Sequence, residues 1–332
     1  MKKLFVKNTY KLNIKGSPSN SLKSLSELPV YGVAPARLDI KSKLKIKVGE
    51  NVDVGSELFF DKKNEKNIFL SPVSGVVEEI VYGDRRVVEK IIIKSDGKFT
   101  DKKLAKPHTA QEVESASTQD LLSIIQKGGL WSTFTSFPFN EVPSFQEIPK
   151  SLYITLDNDE PFSPHSELYF SKFHKEFLFG LEVLRKIFQE VNVGIAHKSK
   201  IKEPKIRQEV THQLVGEYPA NNPGVYLFYN KKSSEENTSW GIKGYDVIRI
   251  GQLFQTGHYP NKRIISLAGS LVVEPCHYHV LEGTPISSIV GSYKKSLKPR
   301  IICGGVLTGR QVQEDDFISY NEHSITVIPD EQ

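Results

Sequence analysis

Val48-Gly-Glu-Asn-Val-Asp-Val-Gly-Ser-Glu-Leu58, returning as Ser71-Pro-Val-Ser-Gly-Val-Val77, decides the fold of the first third of this 332-residue chain. Gly49 and Gly55 stand where tight turns favour a residue without Cβ, and Pro72 and Gly75 bracket a second reversal. Around these breaks lie β-branched or apolar runs at 45–48, 57–60, 68–70, 76–81 and 87–93, the last two separated by Gly83-Asp84. Short strands with turn residues between them predict an all-β sandwich over residues 1–100.

After Asp101 the pattern changes. Thr118-Gln-Asp-Leu-Leu-Ser-Ile-Ile-Gln-Lys-Gly-Gly129 reads as a helix with a Thr or Asp cap and a glycine stop. Residues 151–156 form a buried-type strand that ends in Asp157-Asn-Asp-Glu-Pro161. Phe173, Phe177, Leu181, Leu184 and Phe188 set a helical stripe over 172–191, and 194–197 and 226–229 read as further strands. Strand, long helix and strand predict an open α/β sheet over 101–255. From 256 to 332 the runs 263–267, 271–273 and 276–281, a short helix at 285–291 and a strand at 300–303 predict a small α+β module.

Composition narrows the class. Hydrophobic residues make up 38% and charged residues 25%, enough to bury cores and fold. Two cysteines, Cys276 and Cys303, are too few for a disulfide framework or a four-cysteine metal site. No run approaches the ~18 apolar residues of a transmembrane helix, and no apolar core follows the basic start, so a cytoplasmic address is expected. Residues 1–100 hold 19 Lys and Arg against 12 Asp and Glu, whereas the rest holds 25 against 27. Such a basic domain suits an acidic protein, an anionic membrane or nucleic acid. The alternation of Lys41, Lys43, Lys45 and Lys47 with apolar residues also suits a plain wet strand face. Lacking a recognition helix or RNA-binding aromatic motif, nucleic acid ranks last.

The two-turn pattern with its SPxSGxV return resembles biotinyl/lipoyl-like barrel-sandwich hybrid domains. Carrier members of that group modify a lysine at a hairpin tip; here the slot counts to Asn64, and the flanking acidic and Met residues are absent. The fold is retained, the carrier function rejected, and Lys62, Lys63 and Lys66 are read as a charged hairpin edge. In the α/β region a dinucleotide or flavin would need a glycine-rich phosphate turn. Gly128-Gly-Leu-Trp-Ser-Thr-Phe-Thr-Ser-Phe-Pro-Phe139 fills the expected place with Trp131, Phe134, Phe137 and Phe139. These aromatics could stack a flat ligand, although burial statistics alone make them core. His277 and His279 share a strand face but lack a third ligand, and no nucleophile–base pair is supported. Asp157, Asp159 and Glu160 follow a strand, where α/β sites collect, or form a solvated loop.

Taken in order, KVGENVDVGSELFFDKKN, SPVSG, GGLWSTFTSFPFNEVP, Gly180-Leu-Glu-Val-Leu, Asn222-Pro-Gly-Val-Tyr-Leu-Phe-Tyr, Trp240 through Asp246-Val-Ile, Ile264-Ile-Ser-Leu-Ala-Gly and Ile301-Ile-Cys-Gly-Gly-Val-Leu-Thr-Gly resemble one family. It is the NqrA family of the Na⁺-translocating NADH:quinone oxidoreductases, and the resemblance runs from about Lys43 to Pro329. It implies a barrel-sandwich hybrid domain (1–100), a Rossmann-like α/β domain without a nucleotide-binding glycine loop (101–255) and a β-grasp domain of SLBB type (256–332). It further implies a peripheral subunit on the cytoplasmic side of the inner membrane, beside mostly membrane-embedded partner subunits. The isolated chain would be non-catalytic and hold no cofactor, with NADH, FAD, FMN, riboflavin and iron–sulfur centres on other subunits. Ubiquinone is the implied ligand, mapped onto 31–37 and 137–141, so Tyr31, Arg37, Trp131, Phe137 and Phe139 are the candidate contacts and Arg37 a donor to a quinone carbonyl. Family members continue into a C-terminal helical region, which this chain, ending at Gln332, is expected to lack. The rival readings are an Rnf-type electron-transfer subunit, whose cluster cysteines and flavin glycines are missing, and a stand-alone binding module.

Overall fold

The computed structural model describes residues 1–35, 40–291, 293–294 and 297–330. The chain divides into two compact units. Met1–Leu12, Lys103–Asp159 and His165–Pro260 form the first; Asn13–Lys102, Glu160–Pro164 and Asn261–Gln332 form the second.

The first unit is built on a six-stranded sheet. Edge to edge it runs Lys2–Phe5, His212–Val215, Glu190–Ala196, Ser151–Thr155, Trp240–Lys243 and Thr135–Ser136. Neighbours are parallel except Thr135–Ser136, which lies antiparallel to Trp240–Lys243. Every residue of Ser151–Thr155 is buried. A parallel strand covered on both faces has no wet side, so it reads as a continuous apolar run. Going along the chain, the next two strands add to one side of it and Trp240–Lys243 to the other, so the order reverses at Ser151–Thr155.

Helix Thr118–Lys127 is capped one residue earlier than expected: the Ser117 hydroxyl accepts from the Asp120 N–H at 3.1 Å. The long helix is Ser166–Ile187, starting and stopping earlier than 172–191. Phe173 leaves helical geometry (φ −121°, ψ 30°), which resets the phase of the apolar stripe and hides the first turns from a periodicity reading. At its far end Glu190–Ala196 must be extended to pair with Ser151–Thr155. The expected strand at 226–229 is instead the helix Pro223–Asn230. Asn222 Oδ1 accepts from the N–H groups of Gly224 and Val225 at 2.8 and 3.4 Å, and this Asn-Pro-Gly start outweighs the β-propensity of the aromatic run behind it. Helices Ser166–Ile187 and Gly244–Thr256 meet backbone to backbone at Gly180 and Gly251. A Cβ on Gly251 would lie 1.8 Å from the Glu176 carbonyl oxygen, and one on Gly180 would lie 2.1 Å from that of Val247.

In the second unit, Val30–Val33, Val88–Ser95, Gly75–Tyr82 and Asn51–Val52 form one sheet, and Ser42–Leu44, Glu57–Asp61 and Asn64–Leu70 another. The turns are those the glycines announced. Gly49 and Gly55 sit at φ 85° and 84°, and a Cβ on Gly75 would meet the Lys94 carbonyl oxygen at 2.0 Å. The strand expected at 45–48 lies at Ser42–Leu44; lysine alternation continues beyond the paired residues and could not mark where pairing stops.

A further six-stranded sheet runs Arg310–Val312, Pro299–Cys303, Ser324–Pro329, Lys262–Ala268, Cys276–Leu281 and Leu22–Ser24. Ile265, Val280, Ile289, Ile301 and Ile325 are among its buried core. The strand expected at 271–273 reduces to a single bridge between Val272 and Tyr293, and the helix at 285–291 shortens to Ser287–Val290. Two N-terminal strands join sheets other than the sandwich: Lys2–Phe5 pairs with His212–Val215, and Leu22–Ser24 with Cys276–Leu281.

Candidate functional site

Tyr31 lines a cavity of about 340 Å³ within the second unit, together with Glu27, Phe99, Asp101, Lys262 and His279. That volume falls at the small end of ligand pockets. Two contacts assemble it from distant parts of the chain. The Gly32 N–H donates to the Gly283 carbonyl at 2.9 Å, and Leu22–Ser24 pairs with the strand that carries His279. A Cβ on Gly32 would collide with the Phe317 ring at 2.2 Å, so this strand needs glycine to seat against the C-terminal sheet. Tyr31 is 2% exposed, and its hydroxyl oxygen accepts from the Leu28 N–H at 3.2 Å. A phenol that accepts there keeps its own proton for a further acceptor. Burial, reinforced by nearby Glu27, pushes its pKa up, so the hydroxyl stays protonated at neutral pH. Arg37 lies outside the described residues.

Trp131, Phe137 and Phe139 belong to the first unit, and the structure does not gather them into one pocket. Trp131 is fully buried; its Nε1–H donates to the Pro143 carbonyl at 2.9 Å, and its ring packs on Phe134, Phe145 and Trp240 at centroid distances of 5.4–5.8 Å. The Phe137 ring packs where a Cβ on Gly241 would be, 2.8 Å away, beside Tyr226 and Leu227. Trp240 and Gly241 are successive strand residues and face opposite sides, so the sheet itself separates Trp131 from Phe137. Phe139 is 80% exposed.

The turn expected to hold a phosphate also lies elsewhere. Gly128 caps helix Thr118–Lys127, and the segment behind it leads to the antiparallel edge strand Thr135–Ser136. The strand-to-helix turn at the point of order reversal follows Ser151–Thr155 and carries Asp157 and Asp159. Asp157 accepts from the Ser166 hydroxyl, the Ala196 N–H and the Ser199 hydroxyl at 2.5, 2.9 and 3.0 Å. Burial nevertheless pushes its pKa up. Asp159 accepts from the Asn221 N–H at 3.0 Å, and in the second unit Glu160 accepts from the N–H groups of Leu307 and Thr308 at 2.7 and 3.2 Å. The solvated-loop alternative is thereby corrected: these carboxylates tie the backbone together.

Geometry bears on two further positions. Asn64 opens the returning strand of its hairpin, and Lys62 and Lys63 form the tip, so the count that put Asn64 in the carrier slot was one to two residues late. The register irregularity between Phe60 and Asp61 accounts for the offset. The His277 ring nitrogen lies 2.8 Å from the Ser19 carbonyl, and among the described residues no group of three His, Cys, Asp or Glu side chains could hold a metal.

Two family models match the chain, one described as the NqrA N-terminal barrel-sandwich hybrid domain over residues 4–96 and one as the NqrA second alpha/beta domain over 116–259. The chain belongs to the NqrA family. The NqrA protein of the Na(+)-translocating NADH-quinone reductase of Haemophilus influenzae (strain PittEE) is 27% identical over 330 residues, covering 97% of this chain and 73% of that protein. Its counterpart from Saccharophagus degradans (strain 2-40) is 29% identical over 304 residues, covering 90% and 67%. Among solved structures, an NAD⁺-reducing NiFe hydrogenase in the air-oxidized state aligns over 70% of this chain and 53% of that chain, with a TM-score of 0.43 and 9% identity, a likeness too slight to carry an argument. The NqrA barrel-sandwich match coincides with the two sandwich sheets, and Tyr31 lies within it. Trp131, Phe137 and Phe139 lie within the alpha/beta match. Among the described residues no helix is long and apolar enough to cross a membrane.

Proposed function

We propose that the chain serves as the peripheral NqrA component of a Na⁺-translocating NADH:ubiquinone reductase. In this reading it is a non-catalytic scaffold on the cytoplasmic side of the inner membrane, bound to the complex's other, mostly membrane-embedded subunits. The observation that carries the reading is likeness to NqrA proteins across 97% of the chain. The order reversal in the first unit suits a Rossmann-like domain, and the C-terminal sheet with its short helix suits a β-grasp domain of SLBB type, with divisions near residues 100 and 255. NADH, FAD, FMN, riboflavin and the iron–sulfur centres belong on other subunits. Asp157 supports that assignment: its oxygens stand in the turn where a flavin or dinucleotide phosphate would bind, and they already engage the local donors.

The quinone contact in this chain is the Tyr31 cavity. A protonated phenol is a donor to a ring carbonyl, while Phe99, Val280 and Leu281 supply apolar wall. The test is calorimetric titration of the full chain with a short-chain ubiquinone. Tyr31→Phe removes one hydrogen bond and should weaken binding about fivefold. Phe139→Ala, an exposed residue of the first unit, should leave it unchanged. Equal affinity for wild type and Tyr31→Phe would overturn the cavity assignment. Failure of the wild-type chain to co-purify with the other subunits would overturn the subunit reading.

A further inference from the structure

The lysine surplus of the first hundred residues has a definite place in the fold. Lys43 pairs directly opposite Phe60, and Phe60 opposite Ile68, so these residues share one face of the sheet formed by Ser42–Leu44, Glu57–Asp61 and Asn64–Leu70. The ammonium groups of Lys43 and Lys45 lie 5.4 and 5.2 Å from the centre of the Phe60 ring, covering it. Exposed Lys66 lies on the same strand, in the irregular stretch between the pairings of Asn64 and Ile68. The Lys62 N–H donates to the Lys41 carbonyl at 2.8 Å, which sets the Lys62–Lys63 tip beside the first strand. Exposed Lys47 continues the alternation toward Val48, which is 61% exposed.

Two of the nearby carboxylates are engaged by backbone N–H groups. Asp61 is buried and accepts from the backbone N–H groups of Lys41 and Lys63 at 3.3 and 3.0 Å. Glu50 accepts from the Lys47 backbone N–H at 3.0 Å. Glu65 is exposed beside Lys66 in the irregular stretch before Ile68, and Glu57 precedes Leu58, whose carbonyl accepts from the Lys45 N–H, so these two carboxylates border the face.

We propose that this lysine face docks on an anionic lipid bilayer. The inference deepens the peripheral-subunit reading and rests on it for the membrane's presence. The choice of lysine argues for headgroups over an acidic protein. Every cation named on the face is a lysine, a compact point charge suited to diffuse phosphates. Protein interfaces instead enrich arginine, whose planar fork pairs with carboxylates, and deplete lysine. Phe60 is 6% exposed beneath its lysines, so it offers no platform for stacking a nucleic-acid base.

The test is flotation of the 332-residue chain with vesicles of phosphatidylcholine, with and without phosphatidylglycerol, at low salt. Binding is expected only with the anionic lipid, and it should vanish in high salt as charges are screened. Each lysine near an anionic surface is worth about fivefold in partitioning, so Lys43→Gln/Lys45→Gln should weaken binding about 25-fold. Lys62→Gln/Lys63→Gln, confined to the turn, should do the same. The control pair Lys172→Gln/Lys175→Gln in the first unit should change nothing, with circular dichroism reporting the fold of each variant. Equal binding to neutral vesicles, or vesicle affinity unchanged in both face variants, overturns the proposal. So does a face variant that keeps its lipid binding but no longer co-purifies with the other subunits, since the face would then be a protein dock. The subunit reading itself is judged on wild-type co-purification, an arm that involves no vesicles, so the two failures are distinguishable.

Discussion

Replacing Gly251 by Ala tests how the first unit is held together. The added Cβ would sit 1.8 Å from the Glu176 carbonyl oxygen, 2.7 Å from its carbon and 3.0 Å from the Gly180 nitrogen. All three are backbone atoms, so no rotamer change can make room. Helices Ser166–Ile187 and Gly244–Thr256 must part by more than 1 Å at the crossing. Overpacking of this kind costs about 1–3 kcal/mol, and with backbone on both sides the upper end applies. A gap of that width also forfeits a quarter to a half of the dispersion well for the atoms lining it. Alanine returns about 1 kcal/mol of helix propensity, which leaves a net loss of about 2 kcal/mol. For a unit of this size that lowers its Tm by about 4–8 °C. Scanning calorimetry and urea unfolding read it directly, the urea midpoint falling with an unchanged slope. Gly180→Ala should cost a similar amount. The double variant should cost less than the sum, because one separation relieves both clashes. A Tm unchanged or raised by Gly251→Ala would refute the close-approach argument and leave propensity as the governing term.

Two further outcomes follow from the site description. Trp131→Ala should destabilise by about 3–5 kcal/mol in chemical denaturation, through the cavity it opens among Phe134, Phe145 and Trp240, while exposed Phe139→Ala should stay within about 0.5 kcal/mol. Comparable losses for the two would contradict their placement. Glu112, which closes a capping box with Thr109, has its pKa lowered to about 2, chiefly by the Thr109 backbone N–H and then by Lys106. Its folded value lies below the unfolded one, so its contribution is present above about pH 4.5 and lost as pH falls through about 2. An NMR titration of Glu112 with a midpoint near 4.5 would contradict the capping geometry.

The barrel-sandwich turns were legible because their chemistry is local: Gly49, Gly55 and Gly75 carry backbone conformations or clearances that few other residues allow. The central strand Ser151–Thr155 was legible because full burial leaves an apolar run. Pro223–Asn230 was misread because its aromatic side chains favour strands, whereas the deciding group is one amide oxygen on Asn222. The candidate site was legible only one residue at a time. Tyr31 could be named, but the wall containing Lys262 and His279 arrives from more than two hundred residues away, through pairings that leave no periodic trace. Trp131 and Phe137 are close in sequence, and only the sheet register shows that they lie on opposite faces.

The pairing of Lys2–Phe5 with His212–Val215 bears on the order in which the protein can be made. The edge strand leaves the ribosome well before its partner, which is translated more than two hundred residues later. At about 5–20 residues per second, the early strand waits on the order of ten seconds or more with its hydrogen-bonding edge unmatched. Contacts this distant along the chain also make closure slow once both halves exist. Lys2, Lys3 and Lys7 give the waiting segment a dense positive charge. Such charge on an unpaired edge discourages strands from joining one another.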